Sequence, residues 1–141
     1  MWVGLLPAWP TLAAGKNTLL CMKKTIVLGA SPNPSRYAYT AVLRLKAAGH
    51  EVIPIGIREG EIDGIPIVIG KPEIEDVHTI TIYLNPQRLQ EYYDWMLDVI
   101  KPKRLIFNPG AEEPHFMWRA KIEGFEVLEA CTLVMLATGQ Y

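Results

Sequence analysis

Thr25-Ile26-Val27-Leu28-Gly29-Ala30-Ser31-Pro32-Asn33-Pro34-Ser35-Arg36 is the stretch on which the fold turns. Four residues that are apolar or β-branched, closed by a glycine, read as a short strand buried on both faces. The turn-forming residues behind them end that strand. Ala38, Val42, Leu45 and Ala48 then recur at helical spacing, and Gly49 supplies a C-terminal stop.

Outward from this unit the same alternation repeats. Glu51–Ile55 reads as a second strand that loses its backbone donor at Pro54. The glycine-rich run from Gly56 to Gly70 carries a short extended piece at Ile65–Ile69, and Lys71–Asp76 is at most a helical turn. Thr79–Tyr83 is the third main strand. Asn85-Pro86 reads as N-cap and first helical residue, with Leu89, Tyr93, Met96 and Ile100 as one apolar stripe and Pro102 as the stop. Leu105–Phe107 is a fourth strand, followed by the turn Asn108-Pro109-Gly110. Pro114 opens a short helix that Gly124 closes, and Phe125–Glu129 is a fifth strand. No internal repeat and no low-complexity tract interrupts the series.

Strands alternating with helices predict a parallel sheet, because parallel neighbours need a crossover. Near-continuous apolar strands agree, since such a sheet is covered on both faces. The expected architecture is a Rossmann-like three-layer α/β/α sandwich, with an open, mostly parallel five-stranded sheet in the approximate order 3-2-1-4-5. Ligands of such sheets sit beyond the carboxyl ends of the strands, at the point where the strand order reverses. That rule, with the switch point between the first and fourth strands, selects Gly29–Tyr37, Ile55–Arg58, Tyr83–Pro86, Asn108–Gly110 and the residues around Cys131. The individual candidates for cofactor binding are Gly29, Ala30, Ser31, Pro32, Asn33, Ser35, Arg36, Tyr37, Ile55, Gly56, Arg58, Tyr83, Leu84, Asn108, Pro109, Gly110 and Cys131.

The loop after the first strand is the most informative of these. Gly29 allows a sharp turn and a close approach to a ligand. Ser31, Asn33 and Ser35 are capping residues for the following helix, whose free N–H groups and dipole make a phosphate site. Arg36 adds a forked cation suited to a diphosphate. The same residues also suit an ordinary strand-to-helix turn with a solvated arginine. The dinucleotide fingerprint G-x-G-x-x-G is absent, and no acid follows the second strand to hold a ribose hydroxyl pair. Arg58 stands there instead. This disfavours NAD and suits a ligand with an additional ribose phosphate, which coenzyme A and NADP both carry.

Gly29-Ala30-Ser31, Arg36, and Gly49-His50-Glu51-Val52-Ile53-Pro54 together resemble the opening of the small stand-alone CoA-binding domain family, whose fold is similar to the nucleotide-binding domain of succinyl-CoA synthetase. The likeness continues through the strand ending at Tyr83, the Asn108–Gly110 turn, and Val127 to Cys131, and so covers nearly all of residues 22–141. It implies coenzyme A on the strand-end loops, with Gly29, Ala30, Ser31 and Arg36 near the phosphates. Ile55, Tyr83 and Asn108–Gly110 would line the rest. Tyr37-Ala38 and Ile55-Gly56-Ile57 stand where the family has a glycine and a Val-Asn-Pro-like stretch, so the adenine-side contacts are not carried over.

No catalytic set emerges. His50 follows a helix-ending glycine and reads as a favourable charge at a helix C-terminus. His78 shows no partner. Glu112, Glu113 and His115 cluster, but acids at a helix N-terminus are expected from the dipole alone, so no metal site is predicted. Cys131 needs a base or a positive field to become a nucleophile, and none is visible. Trp95 and Trp118 read as packing groups.

The bulk properties agree with one folded domain: 141 residues, half of them hydrophobic, and a net charge of -1. That charge gives no basic field for nucleic acid or an acidic membrane surface. Two cysteines make no disulfide framework, which points to a cytoplasmic setting. Residues 1–21 are apolar but broken by Pro7 and Pro10, too interrupted to span a bilayer. They read as an upstream extension outside a domain at 22–141. The run Leu133–Leu136 packs on the domain or forms a homodimer contact. Three readings follow: a non-catalytic binder of coenzyme A or an acyl-CoA, for which a regulatory role is one option; an NADP-dependent oxidoreductase or redox sensor; and a scaffold with a vestigial cleft.

Overall fold

A computed structural model describes residues 22–141 of the chain; the expected extension at 1–21 lies outside the described residues. Strand β1 (Thr25–Leu28) is followed by helix α1 (Tyr37–Ala47) and strand β2 (Val52–Gly56). A two-stranded antiparallel hairpin, β3 (Glu61–Ile62) and β4 (Ile65–Pro66), precedes the short strand β5 (Val68–Ile69). Strand β6 (Thr79–Ile82) leads into helix α2 (Pro86–Leu89), which continues as a 3-10 turn at Gln90–Tyr92 and a π-helical segment at Trp95–Ile100. Strand β7 (Arg104–Phe107), helix α3 (Pro114–Ile122), strand β8 (Glu126–Glu129) and helix α4 (Thr132–Ala137) complete the chain.

The main sheet has six strands, not five, in the order β5-β2-β1-β6-β7-β8, with every pair parallel. The extended piece expected at Ile65–Ile69 divides. Its first half turns back as the hairpin, and Val68-Ile69 pairs with Ile55-Gly56 to become the edge strand. That edge occupies the place outside β2 that the third main strand was expected to fill. The strand Thr79–Ile82 lies on the other side of β1 instead, with Thr25 opposite Thr79 and Leu28 opposite Ile82. The reversal of strand order therefore falls between β1 and β6.

Both faces of this sheet are covered, which is why its central strands are apolar throughout. Ile26 and Leu28 join Ile80, Ile82, Leu105 and Phe107 beneath the α2–π segment and α3. Val27 points to the opposite face, where Ala38, Val42 and Leu45 of α1 close over it. Leu136 of α4 packs against that second cluster and Met135 is buried, while Val134 is 56% exposed. Trp95 is buried and donates its indole N–H to the Pro72 carbonyl at 2.9 Å. Trp118 is 67% exposed and is not the packing group expected of it, because α3 turns Phe116, Met117 and Ala120 inward.

Pro54 is tolerated inside β2 for a geometric reason. Glu51 and Ile55 direct their carbonyls at β1, so the missing N–H of Pro54 falls on the other side, where β5 reaches only Ile55 and Gly56. Asn85 caps α2 as expected, accepting from the Arg88 N–H at 3.0 Å. The π segment ends where Lys101 adopts a left-handed conformation just before Pro102.

Candidate functional site

Three strand ends meet at the reversal point because two glycines let them. The Gly29 and Ala30 N–H groups both donate to the Ile55 carbonyl at 2.9 Å, tying the turn after β1 to the end of β2. A side chain on Gly56 would collide with the Ala30 carbonyl oxygen. Gly29 has φ +99°, and a Cβ there would press against the Tyr83 backbone and the Leu84 side chain. Only glycine at both positions lets the three strand ends converge.

The loop then organises itself and leaves the helix open. Asn33 donates its N–H to Ser31 Oγ at 3.1 Å. Ser35 donates both its N–H and its hydroxyl to Asn33 Oδ1, at 3.0 and 2.9 Å. Ser31, Asn33 and Ser35 therefore do not cap α1, contrary to the sequence expectation: they bond to one another. The N-cap is Arg36, whose side chain makes no capping bond. The first turn of an eleven-residue helix thus presents amide groups and the positive end of its dipole without a side-chain acceptor.

Beside it lies a cleft of about 550 Å³ that crosses the ends of β2, β1, β6 and β7. Of the residues expected at the site, Gly29, Ala30, Ser31, Asn33, Arg36, Tyr37, Gly56, Arg58, Tyr83, Leu84, Pro109 and Gly110 line it. Pro32, Ser35, Ile55, Asn108 and Cys131 do not. Pro32 abuts Gly60, Ser35 is spent on Asn33, and the Ile55 side chain is in the core. Cys131 is the N-cap residue of α4 and lies outside the lining.

Asn108 is a positioning residue. It is 2% exposed, donates from Nδ2 to Thr81 Oγ1 at 2.6 Å and to the Ile82 carbonyl at 3.0 Å, and accepts at Oδ1 from the Thr132 N–H at 2.8 Å. One amide side chain thereby ties β6, β7 and α4 together and fixes the Pro109-Gly110 turn at the cleft edge. The Tyr83 hydroxyl lies buried near Thr81, Thr132 and Cys131; burial pushes its phenol far above the ordinary range, and Cys131 adds to the rise.

Ile57 and Asn85, inside the selected stretches, also line the cleft, as do Ala38, Arg88, Tyr92 and Ala111, which the sequence reading missed. A signal for half of them existed. Asn85, Arg88 and Tyr92 follow β6 at helical spacing, so one face of a helix beginning there had to look back over the strand ends.

The electrostatics of the cleft are one-sided. Arg36, Arg58 and Arg88 line it, and none of the lining residues is acidic. Among the described residues none of these three arginines takes part in an ion pair. A chain of net charge -1 therefore concentrates unpaired cations at the strand ends.

The other candidates lie elsewhere. Glu112 accepts from the Gly110 N–H and Glu113 caps α3 at the Phe116 N–H, each at 2.6 Å, while His115 is exposed outside the cleft. His50 is at the opposite end of the sheet. Its Nδ1 accepts from the Lys23 N–H at 2.9 Å, and burial, reinforced by Lys23 and Arg104, lowers its pKa. The expected helix-terminal charge is therefore a neutral acceptor. His78 bonds through Nδ1 to Thr79 Oγ1 at 2.8 Å.

A protein-family model described as CoA binding domain matches residues 23–137. The chain belongs to the CoA-binding domain family. Among solved structures, one crystal structure of an uncharacterized protein is 47% identical, with a TM-score of 0.83 over 86% of this chain and 99% of that one. A Thermus thermophilus protein at 22% identity superposes with a TM-score of 0.74, covering 92% of this chain and 98% of its own. A hypothetical protein from Pyrococcus horikoshii OT3 at 20% identity gives 0.72, over 87% of each chain. The two distant likenesses show the fold alone. No curated protein matches the chain.

Proposed function

We propose that this protein binds coenzyme A, free or acylated, in the cleft at the strand ends, as a binding module rather than a catalyst. The observation that carries the reading is the conjunction of an uncapped α1 N-terminus with three unpaired arginines and no acid in one cleft. Backbone amides at a helix start and forked guanidinium groups are the donors a diphosphate takes. Gly29 and Ala30 bring the backbone close enough for the phosphates to reach the amides. Arg58, at the end of β2, stands where a dinucleotide enzyme would hold a ribose with an acid, and suits a ribose phosphate.

The residues beyond the phosphate site support binding without chemistry. Among the described residues no histidine or cysteine lines the cleft. The Tyr83 hydroxyl is buried and its pKa is raised by burial, so it stays protonated at neutral pH and offers the cleft no base. The same proposal gives the module a regulatory role in a cytoplasmic setting. Among the described residues no helix is long and apolar enough to cross a membrane.

NADP is the second reading, because Arg58 suits its ribose phosphate equally. Thermal shift with CoA, acetyl-CoA, NADP, NAD and ATP, followed by calorimetry, separates the two. A ligand at a hundredfold excess over its dissociation constant raises stability by about 2.7 kcal/mol. A selective shift with CoA or acetyl-CoA is expected; a shift with NADP alone would transfer the reading to a nicotinamide cofactor.

A further inference from the structure

The ends of β1, β6 and β7 that point away from the cleft carry an organised cluster of their own. Thr25, Thr79 and Arg104, the first residues of these three strands, lie side by side in register. Tyr141 is seated on them. The Thr25 hydroxyl donates its one proton to the Lys23 carbonyl at 3.1 Å, so the Tyr141 phenol is the donor in the 2.6 Å bond to Thr25 Oγ1. Arg104 holds its guanidinium 4.5 Å from the centre of the Tyr141 ring and donates from Nη1 to the Tyr141 carbonyl at 3.0 Å. Its Nε–H goes to Thr79 Oγ1, its Nη2 is buried without a partner, and the residue is 6% exposed. The His50 ring lies 5.0 Å from that of Tyr141.

Tyr141 is tied to α4 as well. The Met135 carbonyl accepts from the N–H groups of Gln140 and Tyr141, at 2.8 and 3.2 Å. At its other end α4 begins with Thr132, which is fully buried, bonds to Thr81 Oγ1 at 2.7 Å and gives its N–H to Asn108. A helix of this length rises about 9 Å, and a strand such as β6 spans about 10 Å. The helix therefore runs the length of the sheet, pinned at the cleft end by Asn108 and at the far end by Tyr141. A helix this short is not stable by itself, and only Thr132 and Met135 of it are buried. Its place depends on its two ends.

We propose that Thr132–Tyr141 is a strap coupling the two ends of the sheet: Tyr141 in its seat keeps the Thr132 N–H on Asn108, and Asn108 keeps the Pro109-Gly110 edge of the cleft in its ligand-taking form. Freeing Tyr141 takes from Arg104 one of its two acceptors while the guanidinium stays buried, so the seated and released forms are distinct arrangements. Coupling of this kind is reciprocal. A ligand in the cleft tightens the seat by the same factor through which the seat tightens the ligand. The module thereby displays the state of its cleft on a surface at the opposite end of its sheet. Only the last link, from cleft edge to ligand, rests on the coenzyme A reading.

Amide hydrogen exchange of the full chain, wild type against Tyr141→Ala and Tyr141→Phe, tests the strap without any ligand. Tyr141→Ala should speed exchange of the Thr132 and Met135 amides by about tenfold or more, the scale of two lost hydrogen bonds, while β1 and α1 keep their wild-type rates. Tyr141→Phe keeps the ring and the carbonyl and should fall between the two. Faster exchange confined to residues 138–141, with Thr132 at its wild-type rate, would overturn the strap. Uniformly faster exchange throughout the chain would also overturn it, since Tyr141 would then support the whole fold rather than α4. Calorimetry supplies the second arm: Tyr141→Ala should bind CoA about fivefold more weakly, and CoA should slow exchange at Gln140 and Tyr141 of the wild type. Wild-type affinity in Tyr141→Ala would overturn the coupling to the cleft. Wild-type protein that takes up no CoA would remove the coenzyme A reading, while the exchange rates still decide the strap.

Discussion

The carbonyl oxygen of Ala30 occupies the space in which a side chain on Gly56 would begin. This contact joins the loop after β1 to the end of β2, and the two hydrogen bonds from Gly29 and Ala30 to the Ile55 carbonyl hold it closed. The position of the loop after β1 therefore depends on an atom that is missing from another strand. A Gly56→Ala variant must push the Ala30 peptide outward or break those bonds. Overpacking of this kind costs about 1–3 kcal/mol. A lower urea midpoint together with weakened CoA binding is expected; an unchanged midpoint would show that the loop has room to move.

Arg36 carries the same loop's charge without helping to hold the fold, since its side chain makes no cap and no ion pair among the described residues. Arg36→Ala should leave the melting temperature unchanged and reduce CoA affinity by about tenfold to a hundredfold, the range for a charge-assisted hydrogen bond. Arg58→Ala should weaken CoA too, but should leave dephospho-CoA unaffected. Equal losses for CoA and dephospho-CoA would place Arg58 on some group other than the ribose phosphate.

Asn108 predicts the opposite division. It lies outside the cleft, yet its side chain makes three buried hydrogen bonds, two to strand β6 and one to helix α4. Asn108→Ala leaves the Thr132 N–H and the Thr81 hydroxyl short of a partner, and should destabilise the fold by about 2–4 kcal/mol. Ligand affinity measured well below the melting temperature should fall only modestly, through the Pro109-Gly110 turn. Denaturant unfolding read beside calorimetry separates the two effects.

The histidines set a pH dependence. Both His50 and His78 have pKa values lowered from 6.5, each mainly by burial and further by nearby cations. A base with a depressed folded pKa binds fewer protons when folded than when unfolded. Its stabilisation is therefore complete at high pH and is lost as pH falls through the unfolded value of 6.5 toward the folded one. Unfolding free energy should be lower at pH 5.5 than at pH 7.5, and His50→Gln should flatten that slope. A slope unchanged in the variant would mean that His50 titrates alike in both states.

Local pattern alone was enough for much of this protein. Short apolar runs closed by glycines, with helical spacing between them, determined the α/β class, the placing of every main strand within a residue or so, and the loops at the carboxyl ends. These features are written in periods of two and 3.6 residues that neighbours along the chain satisfy by themselves. Thus Asn85 and Gly49 acted as their types predicted, and Gly29, Arg36 and Pro109 reached the cleft.

Tertiary structure decided which strand lies beside which, and what each polar residue does with its hydrogen bonds. Val68-Ile69 became an edge strand only because Ile55 and Gly56 were free to pair, which moved β6 to the other side of β1. Ser31, Asn33 and Ser35 satisfied one another and left α1 open, while Asn108 turned inward to bond to Thr81, Ile82 and Thr132. A hydroxyl or amide can bond with equal ease to a helix end, a ligand or a neighbouring side chain. The choice depends on which partner the packed chain brings within about 3 Å, and that distance is set by contacts far apart in the sequence.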